Sequence, residues 1–201
     1  MYEYADKVMS YLNGRFIDMF NSLKGSLLGI DEVNALQSVK ALYRELDELV
    51  KEMMYRIAVY VYEEWDGEDL SHITDTFLAQ TVFEEYDPVL KYIYENEVER
   101  KASRLFESLV ATEYDPAEVD TALRLWSAMI NQYAITVTDV AALTAYKDSD
   151  VEYVEWVCKA DGKQCSVCDE RNGHIYPIDS IPSKPHIGCR CELIPCDKED
   201  L

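Results

Sequence analysis

Apolar residues recur in steps of three and four from Val33 to Trp65, through Leu36, Val39, Tyr43, Leu46, Val50, Met53, Ile57 and Val61. That spacing lays one stripe along a helix face. With Asp31 as N-cap, it predicts a helix running to about Asp66, roughly 50 Å long. A helix of that length needs partners along its stripe, because helical stability in proteins comes mainly from packing an apolar face. The first 28 residues repeat the pattern on a shorter scale, with Val8, Leu12, Phe16 and Met19 or Phe20 on one side, and Gly25 and Gly29 are expected to loosen its end. The tetrapeptide EYDP occurs at Glu85–Pro88 and Glu113–Pro116. Asp before Pro is an N-cap followed by a first-turn residue that has no N–H to lose. Glu118 stands where it would complete a capping box with Asp115. Helices are therefore expected at about 70–85, 88–111 and 116–133. Thr138 is read as the cap of a further short helix to about Lys147.

After residue 150 the period changes. Val151, Tyr153 and Glu155 alternate with Glu152, Val154 and Trp156, which predicts a strand. Asn172-Gly173 is a turn dipeptide, with His174-Ile175-Tyr176 as a strand after it, and Cys191 to Ile194 reads as another. Asp197 to Asp200 is expected to fray. The fold class expected is mainly α. A multi-helix acidic body with one long amphipathic helix occupies 1–150, a small C-terminal β-hairpin module 151–196, and an acidic tail 197–201.

Charge and cysteine follow the same division. The chain of 201 residues carries a formal charge of −20, and residues 158–201, with six basic and eight acidic side chains, account for only −2 of it. Such a charge opposes binding to phosphate backbones and to anionic membrane surfaces. No apolar run approaches the roughly 18 residues of a membrane span, and the start does not read as a secretory signal. A reducing compartment is the expectation, where thiols serve metals more often than disulfides. Fifteen tyrosines suit helix packing with a wet hydroxyl edge, and equally a protein interface.

All six cysteines lie between Cys158 and Cys196. Cys165-x-x-Cys168 is followed, after 17 residues, by His186-x-x-Cys189. Both arms have knuckle spacing and the gap suits a zinc ribbon. Two thiolates three apart bend around one ion, and a second arm returns across a turn to complete the tetrahedron. Cys191 competes with Cys189 for the last position, so the metal candidates are Cys165, Cys168, His186, Cys189 and Cys191, four of which would hold one structural Zn²⁺. Three thiolates, one imidazole and Zn²⁺ leave a net −1, which Arg190 could offset by hydrogen bonding around the site. Cys158 and Cys196 have no partner at ligand spacing and read as simple thiols. A disulfide framework, unrelated buried thiols and a catalytic zinc are the competing readings. Catalysis would need an open coordination position, whereas four good ligands close the shell. No HEXXH pattern, no His-x-Glu ahead of the CxxC pair and no phosphate-binding glycine loop is found. His72 reads as a surface or capping residue, and His174 as a single histidine.

The stretch holding Tyr153, Trp156, Asp161-Gly162, Cys165, Cys168, Asn172-Gly173, Tyr176, Pro185-His186, Cys189-Arg190-Cys191 and Leu193-Ile194-Pro195 resembles the C-terminal signature of the phage Mu F-like minor head proteins, also called phage head morphogenesis proteins. The resemblance covers about 45 residues, Val151 to Pro195. Ile187 stands where that family usually has proline, and Ser183-Lys184 interrupts what is often a proline pair, although Pro182 and Pro185 remain. It implies a non-enzymatic minor capsid protein acting in head morphogenesis. Its place would be inside the virion head near the portal, reached from the host cytoplasm during assembly. Its partners would be the portal protein or other capsid or scaffold proteins, with no sequence-specific nucleic acid and no membrane. The alternative is an intracellular zinc-ribbon adaptor binding a protein partner; a metal-dependent hydrolase or transferase is the third reading.

Overall fold

A computed structural model describes residues 1–27, 32–73, 116–159, 164–186 and 188–197. The elements, in chain order, are α1 (Glu3–Leu27), α2 (Glu32–Glu64), α3 (Pro116–Asp148), β1 (Tyr153–Val157), α4 (Ser166–Arg171), β2 (Ile175–Pro177), a 3₁₀ turn (Ile178–Ser180) and β3 (Glu192–Cys196). The chain is mainly helical, with a small C-terminal antiparallel sheet of order β2-β1-β3. The expected hairpin is thus a three-stranded sheet, because β1 pairs on both edges.

Among the side chains described, the helical stripes are where the spacing placed them; those of Val33, Leu36, Val39 and Tyr43 lie outside that set. Val8, Leu12, Phe16 and Met19 of α1 are buried, as are Leu46, Val50, Met53, Ile57 and Val61 of α2. Leu42, Met54, Ala58 and Tyr62 widen the α2 stripe beyond a single seam. Helix α1 continues through Gly25 to Leu27, so that glycine does not end it. Asp31, Asp115, Gly29, the first EYDP copy, the helices expected at about 70–85 and 88–111, and residues 198–201 lie outside the described residues, except that 70–73 is helical.

The largest departure is in α3. The expected break between 133 and 138 does not exist: one helix of 33 residues runs from Pro116 to Asp148. Thr138 is not a cap. It is fully buried in mid-helix, and its Oγ1 donates to the Ala134 carbonyl at 2.8 Å. That back-bond satisfies the hydroxyl without interrupting the ladder. Pro116 does begin the helix, as its fixed φ and missing N–H favour.

Helices α2 and α3 end alike. Asp66 and Asp150 take left-handed φ values of 59° and 57°. Gly67 N–H then donates to Tyr62 O at 2.9 Å, and Val151 N–H to Tyr146 O at 2.9 Å. This six-to-one closure satisfies carbonyls that a helix end leaves open. A Cβ at Gly67 would fall 2.3 Å from the Tyr62 ring, so glycine is required there.

The chain divides into two compact units. One comprises Asp6–Met54 and Thr81–Tyr133. Among its described residues, Leu12 and Phe16 of α1, Leu46 and Val50 of α2 and Ile130 of α3 are buried, and Ser127 Oγ donates to Asn13 Oδ1 at 2.6 Å. The other comprises Met1–Ala5, Tyr55–Gln80 and Ala134–Leu201, so the sheet shares its unit with helical segments. Val154, Trp156 and Leu193 cover the inner face of the sheet. The buried Tyr146 hydroxyl donates to Leu193 O at 3.0 Å, and the Trp65 ring stands edge-on to Tyr146 at 5.1 Å. The sheet therefore has an apolar core to rest on, supplied by the second half of α3. Below these, His72 Nδ1 lies 2.9 Å from Asp148 Oδ2, and the Tyr62 hydroxyl donates to the same carboxylate. His72 is an exposed clasp on the end of α3.

Candidate metal centre

The first arm is a helix start. Cys165 is the N-cap of α4, and its Sγ accepts the Cys168 N–H at 3.4 Å. That backbone donor, the largest influence on the Cys165 thiol, holds its pKa below the usual thiol value. The one-turn geometry carries Cys168 inward, where only 1% of it is exposed. The turn after α4 closes at Gly173, whose φ of +79° only glycine adopts freely. Its N–H donates to Trp156 O at 2.8 Å, which brings the chain back onto β1.

The second arm is a turn as well. Cys189 N–H donates to His186 O at 3.3 Å, with Gly188 at φ +76° inside it. Cys189 and Cys191 are buried and His186 is exposed. Two overlapping triads result, Cys165–Cys168–His186 and Cys168–Cys189–Cys191, each with all its donor atoms within 4.8 Å of one another. The structure thus brings all five sequence candidates into one Cys/His cluster, with Cys168 common to both triads.

Two of the separations match the edge of a tetrahedral zinc site. Cys168 Sγ is 3.6 Å from Cys189 Sγ and 3.8 Å from His186 Nε2. A zinc–sulfur bond near 2.3 Å sets the edges of a tetrahedron at about 3.8 Å. Without a cation the buried sulfurs favour the neutral thiol. Burial pushes the pKa of Cys168, Cys189 and Cys191 upward, since a buried thiolate has lost its water. A divalent cation supplies the countercharge that lets such sulfurs ionise together. A cavity of about 370 Å³ opens onto them, bounded also by Lys159, Gln164 and Arg190. The cluster can hold a metal ion.

Two features were not read from the sequence. The first is Cys158, whose Sγ lies 3.1 Å from Cys191 Sγ and donates to Cys168 O at 3.0 Å. It belongs with the cluster rather than apart from it. The second is a charged lock under the second arm. Tyr2 is 4% exposed, and its hydroxyl donates to Asp139 Oδ1 at 2.5 Å. Lys184 Nζ lies 2.6 Å from Asp139 Oδ2, donates to the Tyr2 oxygen at 2.5 Å and reaches Cys189 O at 3.4 Å. Burial raises the Asp139 pKa, with Lys184 opposing, and burial with Asp139 beside it holds the Tyr2 hydroxyl well above its usual range. Arg190 was expected to offset the site's charge through hydrogen bonds; its guanidinium lies 5.0 Å from the Tyr2 ring centroid, a cation–π contact. Lys184 approaches the same ring at 5.1 Å. Cys196 lies at the end of β3.

Among the described residues, no helix is long and apolar enough to cross a membrane. Compared with known protein families, with curated proteins and with solved structures, the chain matches none of them.

Proposed function

We propose that the cluster is a structural zinc centre in which Cys165, Cys168, His186 and Cys189 close the shell around one Zn²⁺, and that the chain is a non-enzymatic minor head protein of the Mu F-like kind. The observation that carries the metal reading is the meeting of two separately built knuckles at Cys168, whose Sγ lies 3.6 Å from Cys189 Sγ and 3.8 Å from His186 Nε2. With three thiolates and an imidazole in place the ion keeps no exchangeable position, so it fastens chain rather than activating water. Its work is to tie the loop from Ser183 to Arg190 to the start of α4.

The placement in a phage head is supported by the ordered motif from Tyr153 to Pro195, in which both arms and the Asn172-Gly173 turn occur in sequence. The charge of −20 is consistent with a protein that shares a space with packaged DNA without trapping it. Its partners on this reading are the portal and neighbouring capsid or scaffold proteins. Mass spectrometry and cryo-electron microscopy of purified virions test the placement. The protein should be present in few copies at the portal vertex; its absence from the particle would refute that role and leave a cellular zinc-ribbon adaptor as the better account.

A further inference from the structure

The ladder between β1 and β3 sets Trp156 opposite Leu193 and Val157 opposite Glu192. One residue further, the same register sets Cys158 opposite Cys191. Side chains alternate along a strand, so Cys158 lies on the face of Val154 and Trp156, and Cys191 on that of Leu193. Both faces are the inner one. The two sulfurs accordingly approach to 3.1 Å. The Cys158 backbone is held in place by its N–H, which donates to Asn172 Oδ1 at 2.7 Å. Directly opposed residues of antiparallel strands have Cα atoms roughly 4.5–5.5 Å apart, inside the span a disulfide bridges. Cys189, by contrast, sits in the knuckle turn and points its sulfur at Cys168. Cys191 Sγ also lies within 4.8 Å of the Cys168 and Cys189 sulfurs, but its 3.1 Å approach to Cys158 is shorter than the 3.6 Å between Cys168 and Cys189.

We propose that Cys158 and Cys191 are a dithiol pair separate from the ligand set, which closes to a cross-strand disulfide beside the metal under oxidation by a low-molecular-weight disulfide. This rests on the zinc reading above, with Cys189 rather than Cys191 as the fourth ligand. In the first step the half-buried Cys158, as thiolate, attacks one sulfur of oxidised glutathione. The glutathione S–S bond breaks, a mixed disulfide forms and one glutathione thiol departs with a proton. Cys191 then attacks the Cys158 sulfur, its own proton passes to solvent, and the second glutathione leaves as thiolate and is protonated. Two protein thiols are oxidised and one glutathione disulfide is reduced to two thiols. The bond would fasten the open end of the β1–β3 ladder without displacing the ion.

The test treats the zinc-loaded full chain with oxidised glutathione, alkylates the remaining thiols and maps peptides without reduction. The expected result is one disulfide between the peptide ending at Lys159 and the peptide beginning at Cys191, assigned by fragmentation to Cys191 rather than Cys196, with bound zinc unchanged. Cys158→Ser, Cys158→Ala and Cys191→Ser should each abolish the cross-link and keep one zinc per chain. Zinc loss in the two Cys158 variants or in Cys191→Ser would place that residue among the ligands and overturn the proposal. So would a first bridge at Cys165–Cys168 or Cys168–Cys189, or ejection of zinc as the bond forms. Should the chain bind no zinc, the ligand assignment fails separately, and the cross-link is scored on the metal-free chain. There, Cys158–Cys191 forming first upholds the pair and any other first bridge refutes it.

Discussion

Replacing Tyr2 by Phe removes one oxygen and leaves the ring where it packs. That oxygen donates to the Asp139 carboxylate and accepts from the Lys184 ammonium, both at 2.5 Å, within 3.3 Å of the Cys191 carbonyl. Hydrogen bonds to charged partners are worth about 1.5–3 kcal/mol each when one side is deleted. Asp139 and Lys184 keep each other at 2.6 Å, which recovers part of that. The expected net loss is about 2 kcal/mol, a drop of roughly 4–8 °C in the melting temperature for a chain of this size. Because Lys184 and Cys189 belong to the second metal arm, the loss should also be felt at the ion. Full coupling would weaken zinc binding by up to about 30-fold. Denaturant unfolding and competition with a chromogenic zinc chelator measure both quantities, with the exposed Tyr11→Phe as control. A loss under about 0.5 kcal/mol together with unchanged zinc affinity would show that this hydroxyl does not hold the arm.

Asp148 gives a pH prediction. Burial pushes its carboxyl up, but hydrogen bonds from Tyr62 and His72 outweigh this, and the net pKa lies below the ordinary value of 3.8. A group depressed on folding stabilises above its unfolded pKa and loses that contribution as pH falls through the folded one. Asp148→Asn should therefore cost about 1 kcal/mol at pH 7, and the difference from the parent should vanish as pH drops well below 3.8; a difference independent of pH would contradict this. Thr138→Val should change stability by less than about 1 kcal/mol in thermal melts, since it removes the hydroxyl donor altogether and the Ala134 carbonyl keeps its helical N–H partner. A loss near 2 kcal/mol would contradict this. Chelation of the metal, or Cys168→Ser, should erase the near-ultraviolet circular dichroism of the buried Trp156 while far-ultraviolet helicity largely persists. Collapse of the helicity would show that the centre supports far more than the sheet.

The parts of the fold visible in the sequence are those with a clear period. The α2 stripe stands out because polar residues fill the opposite face, and β1 because Val154 and Trp156 alternate with polar neighbours. Helix α3 is hidden for the opposite reason. From Ala134 to Tyr146 it is buried nearly all round, including Ile135, Val137, Val140, Ala141 and Ala142, so no polar face marks its turns. The signal that could have joined its halves was the absence of Gly and Pro between Ala117 and Asp148. The five metal candidates were legible because knuckle spacing is local. Cys158 was not, since its approach to Cys191 depends on the register of two strands 33 residues apart. Tyr2, Asp139 and Lys184 lay further out of reach, because nothing in one-dimensional spacing brings residues 137 positions apart to one carboxylate.

X-ray absorption at the zinc edge, on the full chain purified without added metal, addresses the centre most directly. The account predicts one zinc per chain with three sulfurs at about 2.3 Å, one nitrogen at about 2.0 Å and no water oxygen. A chain without zinc, or a zinc shell that includes an exchangeable oxygen, would contradict it.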